Sequence, residues 1–312
     1  MRRPGPLLRR RTERAQPVTV LLRSDYCHTA PVVLISRRRL LYGAAAIGLL
    51  GGCGDPERQS GVTTPQQLHA DISVWDASSV PSVQVSSSVT VTYGHGIDGL
   101  PEFPGDAVQP QDLGGKLFLQ ICGDDADAVR DAAARLRPDG RLRWREQGFC
   151  NSDRTNVLGF KDGIVVPKTP DEFEQEVWLP DGSTIAVVRR MKLDVAGFAS
   201  LPLSDQERVF GRRKHGAVPL SGGDEVDLSA KTPDGEYVIP ADAHVRRAHP
   251  MTAGAGLMLR RSYNYAEGLL FISYQCELKT FVNTMYRMAD GDALLRYATT
   301  TSSAAFRVPP LD

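Results

Sequence analysis

Residues 257–288 read LMLRRSYNYAEGLLFISYQCELKTFVNTMYRM, and this stretch decides the fold class. Its segments 257–265 and 269–274 are rich in apolar and aromatic residues and are separated by a Glu-Gly pair, which predicts two strands joined by a turn. Segment 277–288 follows with apolar residues three or four positions apart, which is typical of a helix with one buried face. Two strands followed by a helix indicate an α+β fold.

The neighbouring segments complete a six-element unit over residues 156–312. Residues 185–195 alternate as a long strand, and Ala304–Val308 closes the chain as another. Ser204 is expected to cap a helix that runs to Phe210, with Glu207 completing a capping box. A short helix is expected over Asp290–Tyr297. The order strand, helix, strand, strand, helix, strand is that of the ferredoxin-like unit.

The first half of the chain, residues 67–155, repeats this order with one gap. Only twelve residues separate Trp75 from Ser88, and they include five serines and a proline. A crossover between parallel strands needs about a dozen residues or more, usually with a helix, and no helical pattern fits here. The sequence therefore predicts two ferredoxin-like units, the first without its first helix. The elements predicted in this half are strands over 68–74, 89–93, 117–122 and 142–149 and a helix over 124–136.

The N-terminal residues 1–53 are typical of an export leader. Three arginines at 37–39 precede an apolar run over 42–50 that is too short to span a bilayer. Paired arginines before such a run fit the twin-arginine route, which predicts a location in the periplasm or on the outer face of the membrane. The sequence LGGC ending at Cys53 resembles a lipobox and predicts a lipid anchor, although cleavage without lipid stays open. Polar residues 54–66 are predicted to form a tether.

Composition and cysteine spacing exclude several classes of site. The chain carries 37 basic and 37 acidic residues, so it has no electrostatic footprint for nucleic acid. Its five cysteines form no CxxC and no CxxCH pattern. Neither a cysteine-based metal site nor covalent attachment of haem is therefore indicated.

Three local patterns carry residues suited to chemistry. Asp162 lies in a glycine-bracketed turn, which by itself indicates only a turn. His244 is followed by Arg246 and Arg247, which would suit an anionic cofactor or simply form a solvated basic loop. Arg260 stands in an apolar strand next to a second arginine, so one of the two must face inward, where an arginine needs an anion or a polar cavity.

Three segments together resemble the dye-decolorising peroxidase family, especially its exported branch related to bacterial iron-uptake peroxidases. GFKDG at 159–163 matches the family's GxxDG motif, and HVRRAHP at 244–250 matches the loop with the proximal haem histidine. LMLRRSYNY at 257–265 matches the strand with the distal arginine. The resemblance covers roughly residues 60–310, and the family's double ferredoxin-like fold, of the dimeric α/β-barrel type, agrees with the predicted strand order.

The resemblance implies a haem peroxidase, an oxidoreductase that reduces hydrogen peroxide and oxidises an organic donor, dye-like or phenolic. It implies one non-covalent haem b per chain, with His244 as the iron ligand and Arg246 beside the cofactor. Asp162 would move the peroxide proton, and Arg260 would contact the cofactor and stabilise negative charge. His249 would lie near the haem edge. A homo-oligomer stays open.

The chain departs from the family in two places, and these departures keep two alternatives open. Ile164-Val165-Val166 stands where the family usually has Thr and a polar residue, and the first unit is short. One alternative is a haem-binding or iron-acquisition protein with little turnover. The other is a degraded lipoprotein scaffold without haem.

Overall fold

The computed structural model describes residues 59–311, which contain nine strands and eight α-helices. The strands are β1 (His69–Asp76), β2 (Val89–Ile97), β3 (Leu117–Gly123), β4 (Arg141–Phe149), β5 (Thr184–Leu193), β6 (Leu259–Arg260), β7 (Tyr263–Tyr265), β8 (Gly268–Gln275) and β9 (Ala298–Val308). The helices are α1 (Ser60–Thr63), α2 (Ala126–Arg135), α3 (Pro170–Glu176), α4 (Val195–Ala199), α5 (Leu203–Phe210), α6 (His244–Arg247), α7 (Pro250–Ala253) and α8 (Leu278–Ala289), with 3₁₀ turns at Pro110–Asp112 and Ala293–Tyr297. Within these residues no helix is both long and apolar enough to cross a membrane.

The strands form one closed, barrel-like sheet. The first unit has the order β4-β1-β3-β2, and the second has the order β9-β5-β8-β7, with β6 continuing beside β8. Pairing of β2 with β9 and of β4 with β7 joins the two units into one ring. Both orders are those of the ferredoxin-like unit. The predicted α+β, double ferredoxin-like fold is therefore confirmed.

Alternating apolar residues from both units fill the interior of the sheet. Because side chains of a strand point alternately to its two faces, every second residue of β1, β5 and β8 is directed into the barrel. The residues of this core with no exposed surface include Ile72, Val74, Phe118, Val188, Ile272 and Phe306. The rings of Phe118 and Phe306 stack with their centroids 5.4 Å apart.

Replacement of Phe118 by alanine is expected to destabilise the protein by about 3–5 kcal/mol, because the fully buried ring leaves a cavity that its neighbours fill only in part. Denaturant unfolding of the purified protein measures this change. Leu142→Ala, at a residue that is 39% exposed, is the control and should have a much smaller effect. Equal losses for the two variants would contradict the assignment of Phe118 to the core.

The missing helix of the first unit is confirmed. No helix lies between β1 and β2, which are both within the described residues. Instead, an extended segment brings Val80, Val83 and Val85 against the cluster formed by β3 and α2. These side chains cover part of the sheet face that a crossover helix would cover.

The predicted capping box of Ser204 and Glu207 is wrong. Helix α5 begins after Pro202 without a side-chain cap, so Ser204 and Glu207 form no capping box. The Glu207 carboxylate instead accepts hydrogen bonds from Arg213 Nη1 at 2.7 Å and from the Lys214 backbone N–H at 3.1 Å. The loop after the helix therefore binds the Glu207 carboxylate, which does not cap the start of the helix.

The predicted strand over 257–265 is interrupted between β6 and β7. The Ser262 carbonyl accepts a hydrogen bond from the side chain of Gln66, which takes this residue out of the strand ladder. Arg261 Nη2 donates to the Thr64 carbonyl at 3.3 Å. Contacts with the segment before β1 therefore explain the break, and no pattern within residues 257–265 reveals them.

The described end of the predicted tether packs against the barrel. Gln59 and Val62 are buried. Gln59 Nε2 donates to the carbonyls of Tyr93 and Pro309, and Tyr93 N donates to Gln59 Oε1 at 2.8 Å. Residues 59–63 therefore differ from a solvated tether, because one glutamine bonds to β2 and to the residue that follows β9. The export signal, the lipobox and Cys53 lie outside the described residues.

Candidate active site

A large cavity lies in the second unit alone. The cavity and its open mouth together enclose about 1310 Å³. All of its lining residues fall between Asn156 and Ala298, and none belongs to residues 59–155. The connection that stands in place of the missing helix, residues 77–88, therefore lines no part of this cavity.

His244 faces the cavity from the first position of α6. Its Nδ1 is 2.8 Å from Oδ2 of Asp292, whose carboxylate is fully buried. Asp292 is itself fixed, because it caps the following 3₁₀ turn by accepting from the Leu294 N–H at 2.9 Å. A histidine held through one ring nitrogen has its tautomer and orientation set, which leaves Nε2 to bind a metal.

The sequence did not identify Asp292 as the partner of His244. The two residues are 48 positions apart and belong to a four-residue helix and a 3₁₀ turn. Neither element is long enough to show a hydrophobic period from which its packing partners could be predicted. The one available signal was that Asp292 precedes a short helical segment, as a cap does.

Asp162 and Arg260 lie together at another wall of the cavity. The backbone N–H of Asp162 donates to the Arg154 carbonyl at 3.0 Å, and Gly163 has φ +71°, a conformation that favours glycine. Arg260 Nη1 donates to the Val165 carbonyl at 3.0 Å, and its Nε is 3.5 Å from Asp162 Oδ1. Asp162 therefore lies in a turn, as its flanking glycines predict, and also lines the cavity beside Arg260.

Arg246, the other arginine predicted to contact a cofactor, does not line the cavity. Its guanidinium donates to the carbonyls of Leu228, Ile239 and Pro240, and it covers the ring of Tyr237 at 4.4 Å. Helical residues two positions apart do not face the same side, so Arg246 points away from the wall formed by His244. The prediction for Arg246 is corrected accordingly.

Arg189 and Arg212 line the cavity although the sequence analysis assigned them no site role, and His249 was predicted only to lie near the haem edge. Arg189 is 1% exposed and pairs with Asp106, which comes from the long connection between β2 and β3. Arg212 is buried and also lines the cavity. His249 also lines it, and burial together with nearby Arg212 lowers its pKa.

The residues of this cavity fit a haem. One imidazole with a fixed orientation faces it, and a carboxylate and a guanidinium lie together on its wall. The rest of the lining is mainly apolar, which suits a porphyrin face, and includes Phe210, Leu269, Phe281, Met285 and Leu294. A single side-chain ligand is also what haem iron would need, because the porphyrin nitrogens would supply the other donors.

One known family matches the part of the chain that carries this cavity. The family described as "Dyp-type peroxidase, C-terminal" matches residues 153–312, just over half of the chain. The matched range contains the three segments with Asp162, His244 and Arg260. The chain belongs to the Dyp-type peroxidase family. The resemblance stated from the three motifs is thereby confirmed.

Among curated relatives of this Dyp-type chain, a dye-decolorizing peroxidase of Thermobifida fusca is 33% identical over 250 residues, covering 67% of this chain and 58% of the relative. A deferrochelatase of Yersinia pestis is 32% identical over 236 residues, covering 64% of this chain and 54% of the relative. The chain thus spans little more than half the length of these relatives.

Solved Dyp-type structures share the fold described above. DtpA of Streptomyces lividans, in an oxyferrous complex, has a TM-score of 0.71 at 27% identity, covering 82% of this chain and 93% of the other. A DyP-type peroxidase of Cellulomonas bogoriensis has a TM-score of 0.73 at 25% identity, covering 83% and 96%.

Proposed function

We propose that this Dyp-type chain is a haem peroxidase that reduces hydrogen peroxide and oxidises an organic donor, dye-like or phenolic. One observation carries the proposal: a single cavity is faced by His244, oriented by buried Asp292, and by the Asp162–Arg260 pair. Membership of the family supports it. So do relatives that are named as peroxidases or solved as an oxyferrous complex.

In this proposal His244 Nε2 holds the iron of one non-covalent haem b. Asp292 accepts a hydrogen bond from Nδ1–H, which raises the electron donation of the ring and keeps it from rotating. Haem, when bound, supplies the iron at which the O–O bond of peroxide is cleaved and the electrons for that cleavage. The proton transfer and the stabilisation of charge are assigned to Asp162 and Arg260.

Asp162 is the proton carrier in this scheme. Its carboxylate takes the proton from one peroxide oxygen and returns it to the other, so that water leaves rather than hydroxide. Oδ1 accepts a hydrogen bond from Gly163 N at 2.6 Å, which fixes the carboxylate in position. Arg260, held by the Val165 carbonyl, stabilises the negative charge that develops as the bond breaks.

The apolar segment after Asp162 shapes this wall. Ile164 and Val165 line the cavity where the family usually places polar residues. Asp162 and Arg260 nevertheless remain 33% and 24% exposed. The departure in sequence thus makes this wall more apolar, while the two side chains still lie 3.5 Å apart.

Steady-state turnover tests the proposed function. Protein reconstituted with haem should oxidise a phenolic donor only when peroxide is present, at a rate proportional to its haem content. Stable haem binding without peroxide-dependent oxidation would contradict the peroxidase and favour the haem-binding or iron-acquisition alternative. Failure to bind haem would favour the haem-free scaffold.

Replacement of Asp292 by asparagine is expected to weaken haem binding or activity by about 10–100-fold, the usual cost of losing the partner of a metal-ligating histidine. Titration of the haem-free variant with haem measures the change. Asp290→Asn is the matched control, because Asp290 lies nearby but pairs with surface Arg247 and Arg287. An unaltered titration for Asp292→Asn would show that this carboxylate does not support the ligand.

We further propose export by the twin-arginine route, with Cys53 as the site of lipid attachment. The arginines at 37–39, the short apolar run and the LGGC sequence support this. Mass spectrometry of the mature protein tests it: a diacylated N-terminal cysteine is expected, and an unmodified N-terminus beyond residue 53 would exclude the anchor.

A further inference from the structure

The turn that carries Asp162 is supported by Arg154, whose carbonyl accepts from the Asp162 backbone N–H at 3.0 Å. Arg154 has φ +64°, a left-handed conformation that is uncommon for a residue with a side chain. Such a conformation persists only where the surrounding contacts determine it. One of these contacts is the hydrogen bond from Arg154 Nη2 to the Gln66 carbonyl at 2.7 Å. The position of Asp162 therefore depends, through Arg154, on the segment before β1.

The strand that carries Arg260 is supported by the same segment. Strand β6 ends at Arg260, and the chain leaves the sheet ladder at Ser262, whose carbonyl accepts from Gln66 Nε2. The same nitrogen also donates to Cys150 Sγ, just after β4. Both bonds are compatible, because a primary amide carries two N–H groups. The side chain of Gln66 thus ties the bend after Arg260 to the end of β4.

The direct contact between Asp162 and Arg260 does little to fix their separation. Arg260 Nε and Asp162 Oδ1 are 3.5 Å apart, longer than the usual N–H···O distance of about 2.7–3.2 Å. The separation is therefore set mainly by the backbone supports of the two residues. Gln66 bonds to both supports, to Arg154 through its carbonyl and to Ser262 through its amide.

We propose that Gln66 is a positioning residue of the peroxide site, which sets the separation of Asp162 and Arg260. The inference rests on the proposed function and extends it to the segment that precedes β1. Gln66 lines a smaller polar cavity together with Asp162 and Arg260, but it is not part of the large cavity that faces His244. It therefore acts on peroxide through these two side chains. A displacement of about 1 Å in such a site can lower a rate about 100-fold.

Initial rates of the haem-loaded protein, with peroxide and a phenolic donor varied in turn, test this role. Q66M loses both amide N–H donors but keeps a side chain of similar length. Its kcat/KM for peroxide is expected to fall about tenfold or more, because the reacting pair is displaced. Its kcat/KM for the donor and its affinity for haem should not change.

Q67M is the matched control for this experiment. Gln67 is half-buried like Gln66, but its side chain donates to the Ser88 carbonyl at 3.1 Å and accepts from Thr90 Oγ1 at 2.7 Å. These bonds lead to the start of β2 and not to the supports of the reacting pair. Both kinetic constants of Q67M should therefore equal those of the unsubstituted protein.

R154M tests the same arrangement from the other side. It loses the guanidinium that binds the Gln66 carbonyl, so it should also lower kcat/KM for peroxide and leave the constant for the donor unchanged. Residues that act through one network are not additive. The double variant Q66M/R154M is therefore expected to lose less than the product of the two single losses.

The outcomes separate this inference from the proposed function. An unchanged kcat/KM for peroxide in Q66M, or equal falls in both constants, would overturn the role of Gln66, since general damage lowers both alike. Thermal unfolding shows whether each variant is folded, and R154M decides the matter if Q66M is not. Absence of peroxide-dependent oxidation by the unsubstituted protein would overturn the proposed function and this inference together.

Discussion

Replacing His244 by alanine is expected to abolish stable haem binding. The reason is that His244 is the cavity residue whose imidazole is oriented for a metal, with Nδ1 fixed by buried Asp292 at 2.8 Å. Without this ligand, only apolar contacts and the basic residues of the wall would hold the cofactor. The measurement is the Soret absorbance of the variant after incubation with haem and removal of the excess.

His249→Ala is the matched control for this experiment. His249 lines the same cavity, but its side chain accepts from the Met251 N–H at 3.3 Å, and no carboxylate of residues 59–311 pairs with it as Asp292 pairs with His244. The control should keep its Soret band. Loss of the band in His249→Ala, with retention in His244→Ala, would show that His249 rather than His244 is the iron ligand.

Replacing Asp162 by asparagine is expected to slow the reaction with peroxide by about 10²–10⁴-fold, the usual contribution of a positioned general acid–base group. Haem content should not change, because Asp162 lies with Arg260 away from the proposed iron ligand. Asparagine keeps the size of the side chain and its hydrogen bond from Gly163, but it cannot take up the peroxide proton. Stopped-flow absorbance after mixing with peroxide measures the rate.

Asp171→Asn provides the comparison, since Asp171 is an exposed carboxylate at the start of α3. Its rate should equal that of the unsubstituted protein. A normal rate for Asp162→Asn would remove Asp162 from the mechanism and leave Arg260 as the only charged residue assigned to peroxide. Loss of haem from Asp162→Asn would instead assign this residue to the structure of the cavity.

Much of the fold follows from periodicity in the sequence. Strands β1 to β4 were predicted from alternating apolar residues, and the short, serine-rich connection after β1 correctly indicated a missing helix. Alternating apolar residues predict these strands because one face of each strand packs inside the barrel. It could not reveal how the ring closes, since β4 and β7 meet at a single pair, Phe149 with Asn264.

The site was less accessible to sequence reasoning. Asp162 and Arg260 are 98 positions apart, and only the family resemblance suggested that they act together. Short helices such as α6 contain too few residues to show a buried face, which is why Arg246 was placed at the cofactor. Arg212 lies in a run of three basic residues, a pattern that predicts solvent exposure unless the partners of its neighbours are known.

The central claim is that one cavity of this Dyp-type chain holds haem at His244 and presents Asp162 and Arg260 to peroxide. Its most direct test is the absorption spectrum of the haem-reconstituted protein before and after addition of equimolar hydrogen peroxide. We expect a Soret band that shifts rapidly with peroxide and does so far more slowly in Asp162→Asn. A Soret band that does not respond to peroxide, or no Soret band at all, would contradict the claim.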